Sequence, residues 1–305
     1  MKFAGKGDLE LHASARERVR FLAVSQAFAG HFLNAVPTKD HFRLPSEVLR
    51  VLLQRRLGLP LLASALAEPA LRSKRGHPFD VLGDVAQNDG ASGHQTRHKD
   101  LLWQLYTVLR RVYGAAVAYE PQDYRGYSTT RPDLTLRWDG VLRVYDVKLF
   151  CPLGSDPAAV GLRGAAVAFG NTAPVARAKV LGRAERGVPS ASGHSTFDPT
   201  TGEGYVSPVP GDYAKALEAG CDVKVALAET FGGFSPDLAA LLHEAAELVQ
   251  DRLVQGEWDV NSWSATRWLP YAAQRVSVAL HKAVAYELLE AVGLASVPVC
   301  VRVPT

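Results

Sequence analysis

An α/β fold, a mixed central sheet flanked by helices, is predicted by three features of this 305-residue sequence. A hairpin pattern occupies Arg131 to Phe150, an amphipathic helical pattern from Thr96 to Tyr113 precedes it, and a second alternating run, Asp222 to Thr230, leads into a helix with a clear start. Helical patterns also fill both ends. The chain therefore divides into a helical N-terminal region over 1–70, a core over 71–230 with a Gly/Pro/Ser-rich insertion near 182–211, and a C-terminal helical region over 231–305 that packs on the core.

Composition narrows the function classes. A hydrophobic fraction of 47% is ample for a buried core, and a formal charge of +3 is mild, so any phosphate-attracting surface has to be local. Cys151, Cys221 and Cys300 are isolated and odd in number, which argues against a disulfide framework or a zinc site and suits a reducing compartment. No apolar run is long enough to cross a bilayer, and the opening MKFAGKGDLE lacks the apolar core of a signal peptide. A soluble, intracellular protein with no membrane partner is expected.

In chain order, Ser14 to Leu33 carries apolar residues at helical spacing. Leu44 to Leu57 follows after a break at Pro37, with Ser46 behind Pro45 as a start signal and Gly58 as a stop. Arg72, Lys74 and Arg75 form a small basic cluster, read either as a phosphate contact or as a solvated loop. In the helix ended by Gly114, Leu101, Leu102, Leu105, Val108, Leu109 and Val112 make the inner face, and His98 lies on that face one turn before Leu102. Ala115 to Glu120 reads as a short strand closed by Pro121, with Glu120 at its end as a further carboxylate directed at a metal or at solvent.

The loop DYRGYSTTR interleaves Tyr124, Arg125, Tyr127 and Arg131, a mixture suited to stacking on bases and gripping phosphates, or to an ordinary polar loop. Beyond the hairpin come the small-residue run GLRGAAVAFG, a helix carrying Arg177 and Lys179, the insertion, and a short helix from Tyr213 to Ala219 closed by Gly220. In the strand after it Val223, Val225, Leu227 and Glu229 share a face. Ser235 and Pro236 start a helix running to about Val254; a tryptophan-rich connection leads to a last helix from about Leu269 to Val292, on which Arg275, His281 and Lys282 face either a nucleic acid or solvent. The tail VPVCVRV reads as an edge strand.

The hairpin carries the chemistry. Around the Asp139-Gly140 turn, Leu142, Val144, Asp146 and Lys148 point one way and Tyr145, Val147 and Leu149 the other, so two opposite charges end a face that otherwise reads as buried. Asp133, just after Pro132, adds a third at the start of the partner strand. Buried charges cost several kcal/mol unless paired or bound to a metal. Two carboxylates holding a divalent cation, with a lysine to assist a water or the transition state, are what metal-dependent phosphodiester hydrolysis needs. The competing reading is an edge hairpin whose Asp146 and Lys148 form a solvated ion pair.

Pro-Asp followed by Asp-x-Lys on a second strand resembles the PD-(D/E)xK nuclease superfamily. The series FLNAVP, RRLGLPL, GDVAQ, RHKDLLWQL, EP, RPDLTLRWDG, DVKLFCP, ALAETFGGFSPDLAALL and QRVSVALHKA, from Phe32 to Ala283, is similar to the C-terminal endonuclease region of site-specific non-LTR retroelement polyproteins. The resemblance implies a restriction-endonuclease-like core that cuts DNA with Mg²⁺ or Mn²⁺. Arg97 and His98 match the Arg-His that opens the family's first helix, Asp133 and Asp146 its two acids, and Glu229 the glutamate before Phe-Gly.

Three departures qualify it. The cysteine-histidine knuckle ahead of Arg97 is missing. The lysine that many relatives take from a later Lys-Tyr segment stands instead at Lys148, with Asp212-Tyr213 in the later place. No reverse transcriptase precedes the domain, so an excised domain or a stand-alone relative is expected, nuclear if derived from such an element, with a reverse transcriptase or other element protein as its partner.

The expected function is Mg²⁺- or Mn²⁺-dependent DNA endonuclease: Asp133, Asp146 and Glu120 as metal ligands, Lys148 and His98 completing the catalytic set, and Arg97, Tyr124, Arg125, Tyr127 and Arg131 on the nucleic acid. The alternatives are a catalytically inactive nucleic-acid-binding module on the same fold and an interaction scaffold in which the hairpin charges merely pair.

Overall fold

The computed structural model describes residues 14–61, 80–88, 94–122, 131–153, 172–181, 185–186, 204–207, 211–261 and 263–291. Their helices and strands are α1 (Ala15–Val24), α2 (Ser46–Leu57), α3 (Asp84–Asn88), α4 (His94–Tyr113), β1 (Val117–Tyr119), β2 (Leu134–Trp138), β3 (Val141–Phe150), α5 (Thr172–Leu181), β4 (Glu185–Arg186), β5 (Tyr205–Val206), α6 (Ala214–Glu218), β6 (Asp222–Glu229), α7 (Pro236–Leu248), α8 (Gln255–Asn261) and α9 (Trp268–Ala291). The fold is α/β: a four-stranded mixed sheet of order β1-β2-β3-β6, antiparallel from β1 to β3 and parallel between β3 and β6, with helices on both faces. Among the described residues no helix is long and apolar enough to cross a membrane.

The expected hairpin forms. Asp139 and Gly140 both take positive φ, 49° and 75°, the geometry of the tight turn that matches strand twist. The alternation then sends the two sides of β3 into different cores. Tyr145 and Val147 join Leu134, Leu136 and Ala226 against α4, α7 and α9, while Val144 packs with Val223, Val225, Leu227, Val180 and Tyr213. The main core also takes Phe32, Phe42, Val48, Val51 and Leu52, so the N-terminal helices lie on the core rather than projecting from it.

Several elements differ from their sequence expectation. The first helix starts at the Ser14 capping box but stops at Val24 instead of Leu33. There the chain turns through Phe28, at φ 71°, and the Gln26 amide donates to buried Glu229. The strand expected from Ala115 begins at Val117, after a 3-10 turn over Gly114–Ala116. The seventh helix ends at Leu248, not near Val254. Gln250 and Asp251 leave it at positive φ, and the Asp251 carboxylate accepts from Leu269 N–H at 2.7 Å at the start of α9. The tryptophan-rich connection contains α8, whose Glu257 pairs with Arg111. Within the expected insertion, β4 and β5 pair as a short antiparallel ladder. The basic cluster Arg72, Lys74 and Arg75, the run GLRGAAVAFG and the tail VPVCVRV lie outside the described residues.

Arg275 and His281, expected on a nucleic acid or in solvent, are buried in α9. Arg275 donates to Tyr271 Oη and Gln104 Oε1, both at 3.2 Å, and the His281 ring stacks on Phe32 with centroids 3.9 Å apart. The helix is apolar almost all round because α2, α3, α4, α7 and the His31–Asn34 3-10 turn all pack on it, leaving little face for solvent.

Candidate active site

Strand pairing assembles the site. The β2–β3 register runs from Trp138↔Val141 to Leu134↔Tyr145, and continued one step it sets Asp133 opposite Asp146. Pro132 cannot donate to the ladder, so β2 begins at Leu134 and the Asp133 side chain takes over the next pairing: its Oδ2 accepts from Val147 N–H at 2.6 Å. Its backbone carbonyl accepts from Glu120 N–H at 2.9 Å. Asp133 is thus locked to both neighbouring strands.

Asp146, the cross-strand neighbour of Asp133, is only 3% exposed. Its Oδ1 accepts from the Tyr213 hydroxyl at 3.1 Å, and its Oδ2 lies 2.8 Å from Lys148 Nζ and takes no further hydrogen bond among the described residues. Burial, reinforced by the charge of Asp133, outweighs Lys148 and Tyr213 and holds the Asp146 carboxyl above the usual carboxylate range. Burial also works against the Lys148 ammonium, but the charge and contact of Asp146 raise its pKa above the ordinary lysine value. The Tyr213 phenol is pushed far above its usual range by burial and the nearby Asp146 and Asp133 charges, which leaves it a permanent donor.

The first turns of α4 close the other wall. His98 Nε2 is 3.0 Å from the Val147 carbonyl, which only accepts, so that nitrogen carries the proton; Asp133 Oδ2 lies 3.5 Å from it. Burial acts to lower the imidazole pKa, but the hydrogen bond and charge of Asp133 and the Val147 carbonyl prevail and raise it. His98, Asp133, Asp146 and Lys148, with Arg97, Lys99 and Arg131, are among the residues that line an open cleft of about 370 Å³; Tyr213 stands behind Asp146 and does not line it. Lys99 and Tyr213 were not singled out as site residues from sequence. The signals are Lys99 beside His98 in RHKD, and the Asp212-Tyr213 pair at the place of the family's Lys-Tyr.

Other expected site residues are placed differently. Arg97, expected on the nucleic acid, is buried: it bonds Glu287 Oε2 at 2.8 Å, Gln87 Oε1 at 2.9 Å and the Gln87 carbonyl at 3.1 Å. Helix α4 turns Arg97 toward α3 and α9 while His98, the next residue, faces the sheet, so adjacent positions serve different surroundings. Glu120, at φ 39°, pairs its carboxylate with Arg131 and is not among the cleft-lining residues. Arg131 keeps its guanidinium on the cleft rim with that partner. Tyr124, Arg125 and Tyr127 lie outside the described residues.

Glu229 is fully buried; Gln26 holds its Oε2 at 2.8 Å, and burial pushes its pKa up to about 8. Its backbone, not its carboxylate, makes the turn: the Glu229 carbonyl accepts from Gly232 N–H at 2.7 Å.

The donor set fits a hard divalent cation. Asp146 Oδ2 is a buried acceptor countered only by an ammonium, Asp133 supplies a second carboxylate opposite, and Mg²⁺ is commonly held by one or two carboxylates with water completing its shell. Among the described residues no group of three or more His, Cys, Asp or Glu side chains that could hold a metal ion is found. Comparison with protein-family models, with curated proteins and with solved structures finds no match for this chain.

Proposed function

We propose that this chain is a metal-dependent DNA endonuclease with a restriction-endonuclease-like core, of the nicking type found in non-LTR retroelements or a stand-alone derivative. The reading is carried by one observation: Asp133 at the entrance to β2, Asp146 and Lys148 on β3 and His98 on α4 all line a single open cleft.

Asp133 and Asp146 would hold Mg²⁺ or Mn²⁺, which supplies a water of lowered pKa and charge neutralisation on the phosphate. The chain's own groups do the rest. The Asp133 carboxylate is fixed by Val147 N–H and by His98, which in turn is anchored on the Val147 carbonyl. Lys148, with its side chain partly open to the cleft, donates to the attacking water or to a phosphate oxygen as negative charge builds there. Arg131 and Lys99 stand on the rim where a phosphate backbone would pass. Water adds to phosphorus, one P–O ester bond breaks, and the products are a phosphate monoester and a hydroxyl.

Asp133→Asn and Asp146→Asn are each expected to reduce nicking of supercoiled plasmid by roughly two decades or more, because the charge stabilisation they organise is worth several kcal/mol. EDTA should stop the parent enzyme. Undiminished cutting by both variants would defeat the assignment.

The second reading, a nucleic-acid-binding module without catalysis, is favoured by the Lys148 and Tyr213 contacts that already engage both Asp146 oxygens. It predicts salt-dependent DNA retention with no nicking at any metal concentration.

A further inference from the structure

Asp146 is held from behind by a group that the hairpin motif does not contain. Tyr213 is fully buried. Its ring packs among Val144, Val180, Val223, Val225 and Leu227 on the face of the sheet away from α4, and its backbone N–H bonds the Val180 carbonyl at 3.3 Å. From that anchor the hydroxyl reaches Asp146 Oδ1 at 3.1 Å and the Arg131 carbonyl at 3.4 Å. The one phenolic proton therefore ties the second acid on β3 to the chain entering β2, beside the first acid. Lys148 stands at the other oxygen, Oδ2, at 2.8 Å. The two oxygens of Asp146 are thus divided: one is fixed by a neutral donor, the other lies against the Lys148 ammonium, whose side chain is partly exposed.

We propose that Tyr213 is the positioning residue of the metal site, orienting the Asp146 carboxylate through Oδ1 so that Oδ2 is presented to a divalent cation. This rests on the metal-dependent nuclease reading and deepens it. Tyr213 touches neither metal nor substrate. Its effect is on metal affinity, and groups that orient a ligand in this way typically change affinity by roughly 10- to 100-fold when removed.

The test is Mn²⁺ binding to the full DNA-free chain, followed by electron paramagnetic resonance of the free ion, with thermal melting run alongside. Tyr213→Phe keeps the ring and removes the donor. It is expected to weaken Mn²⁺ binding by roughly tenfold or more, and to move half-maximal plasmid nicking to correspondingly higher metal concentration while the rate at saturating metal recovers. Site-specific 4-aminophenylalanine at 213 keeps the shape and restores a donor, so its binding should return toward the parent.

Parental Mn²⁺ affinity in Tyr213→Phe, with affinity lost in Asp146→Asn, would overturn the role of Tyr213 and leave the nuclease reading standing. If Tyr213→Phe fails to fold, a 4-aminophenylalanine chain that folds but binds Mn²⁺ far more weakly than the parent overturns it equally. Absence of specific Mn²⁺ binding in the parent chain sinks the metal reading and this proposal with it.

Discussion

Replacing Arg97 by Met separates a structural arginine from a DNA-binding one. The guanidinium is 3% exposed and makes three hydrogen bonds, two to Gln87 and one, at 2.8 Å, to Glu287. Gln87 also donates to the same Glu287 oxygen at 2.7 Å. Burial pushes the Glu287 carboxyl up to about 7 even with Arg97 beside it, so removing the cation leaves an uncompensated buried acid. Breaking a buried pair from one side costs about 3–5 kcal/mol, which in a chain of this size lowers the melting temperature by roughly 5–8 °C. Arg97→Met combined with Glu287→Gln should recover much of that loss, since both charges are then gone together.

The assay is urea or thermal unfolding at pH 8, paired with binding to a labelled duplex well below the transition. Stability should fall while DNA affinity holds. A parental melting temperature accompanied by weakened DNA binding would refute the reasoning and return Arg97 to the nucleic-acid surface.

Two further outcomes follow from the buried charges. Lys148→Met removes the ammonium that stands against Asp146 Oδ2, so cutting should be lost while Mn²⁺ binds at least as tightly as in the parent; weaker binding would show that the lysine does not compete for that oxygen. Glu229 has a folded pKa of about 8 against an ordinary 4.5, so the native state holds the proton over that interval and stability falls as pH rises from about 4.5 to about 8. Glu229→Gln removes this dependence, and its advantage over the parent should grow from near zero at pH 4.5 to several kcal/mol at pH 8 in denaturant titrations. A constant difference across that range contradicts the buried-acid account.

The hairpin was legible because strand alternation has a period of two and Asp-Gly supplies the positive φ of its turn, and both signals are local. The inner face of α4 was legible for the same reason at a period of 3.6. Helix ends were less so: α1 stops at Val24, where Gln26 reaches Glu229, two hundred and three positions away in the chain, and Arg56 donates to the Val24 and Ala29 carbonyls, contacts that no local pattern reports. Arg275 and His281 of α9 depart from expectation on similar grounds, while Lys282 stays partly exposed. A helix covered on nearly every side buries Arg275 and His281 with partners supplied by α4 and by the turn at Phe32, which are remote in sequence.

By itself the amino-acid sequence determined the alternation that makes the hairpin, the chemical kinds of the three charged groups at its end, and the faces on which they would emerge. Only the tertiary structure decided which charges share a cleft and which disappear into the core. Asp133, Asp146, Lys148 and His98 come together through strand register and the docking of α4, Arg97 turns away to Glu287, Glu120 to Arg131, and Tyr213 arrives behind Asp146 from beyond the insertion. The physical reason is range: backbone geometry fixes where a side chain leaves the chain within a few residues, whereas its partner is chosen by packing among elements that sequence spacing does not relate.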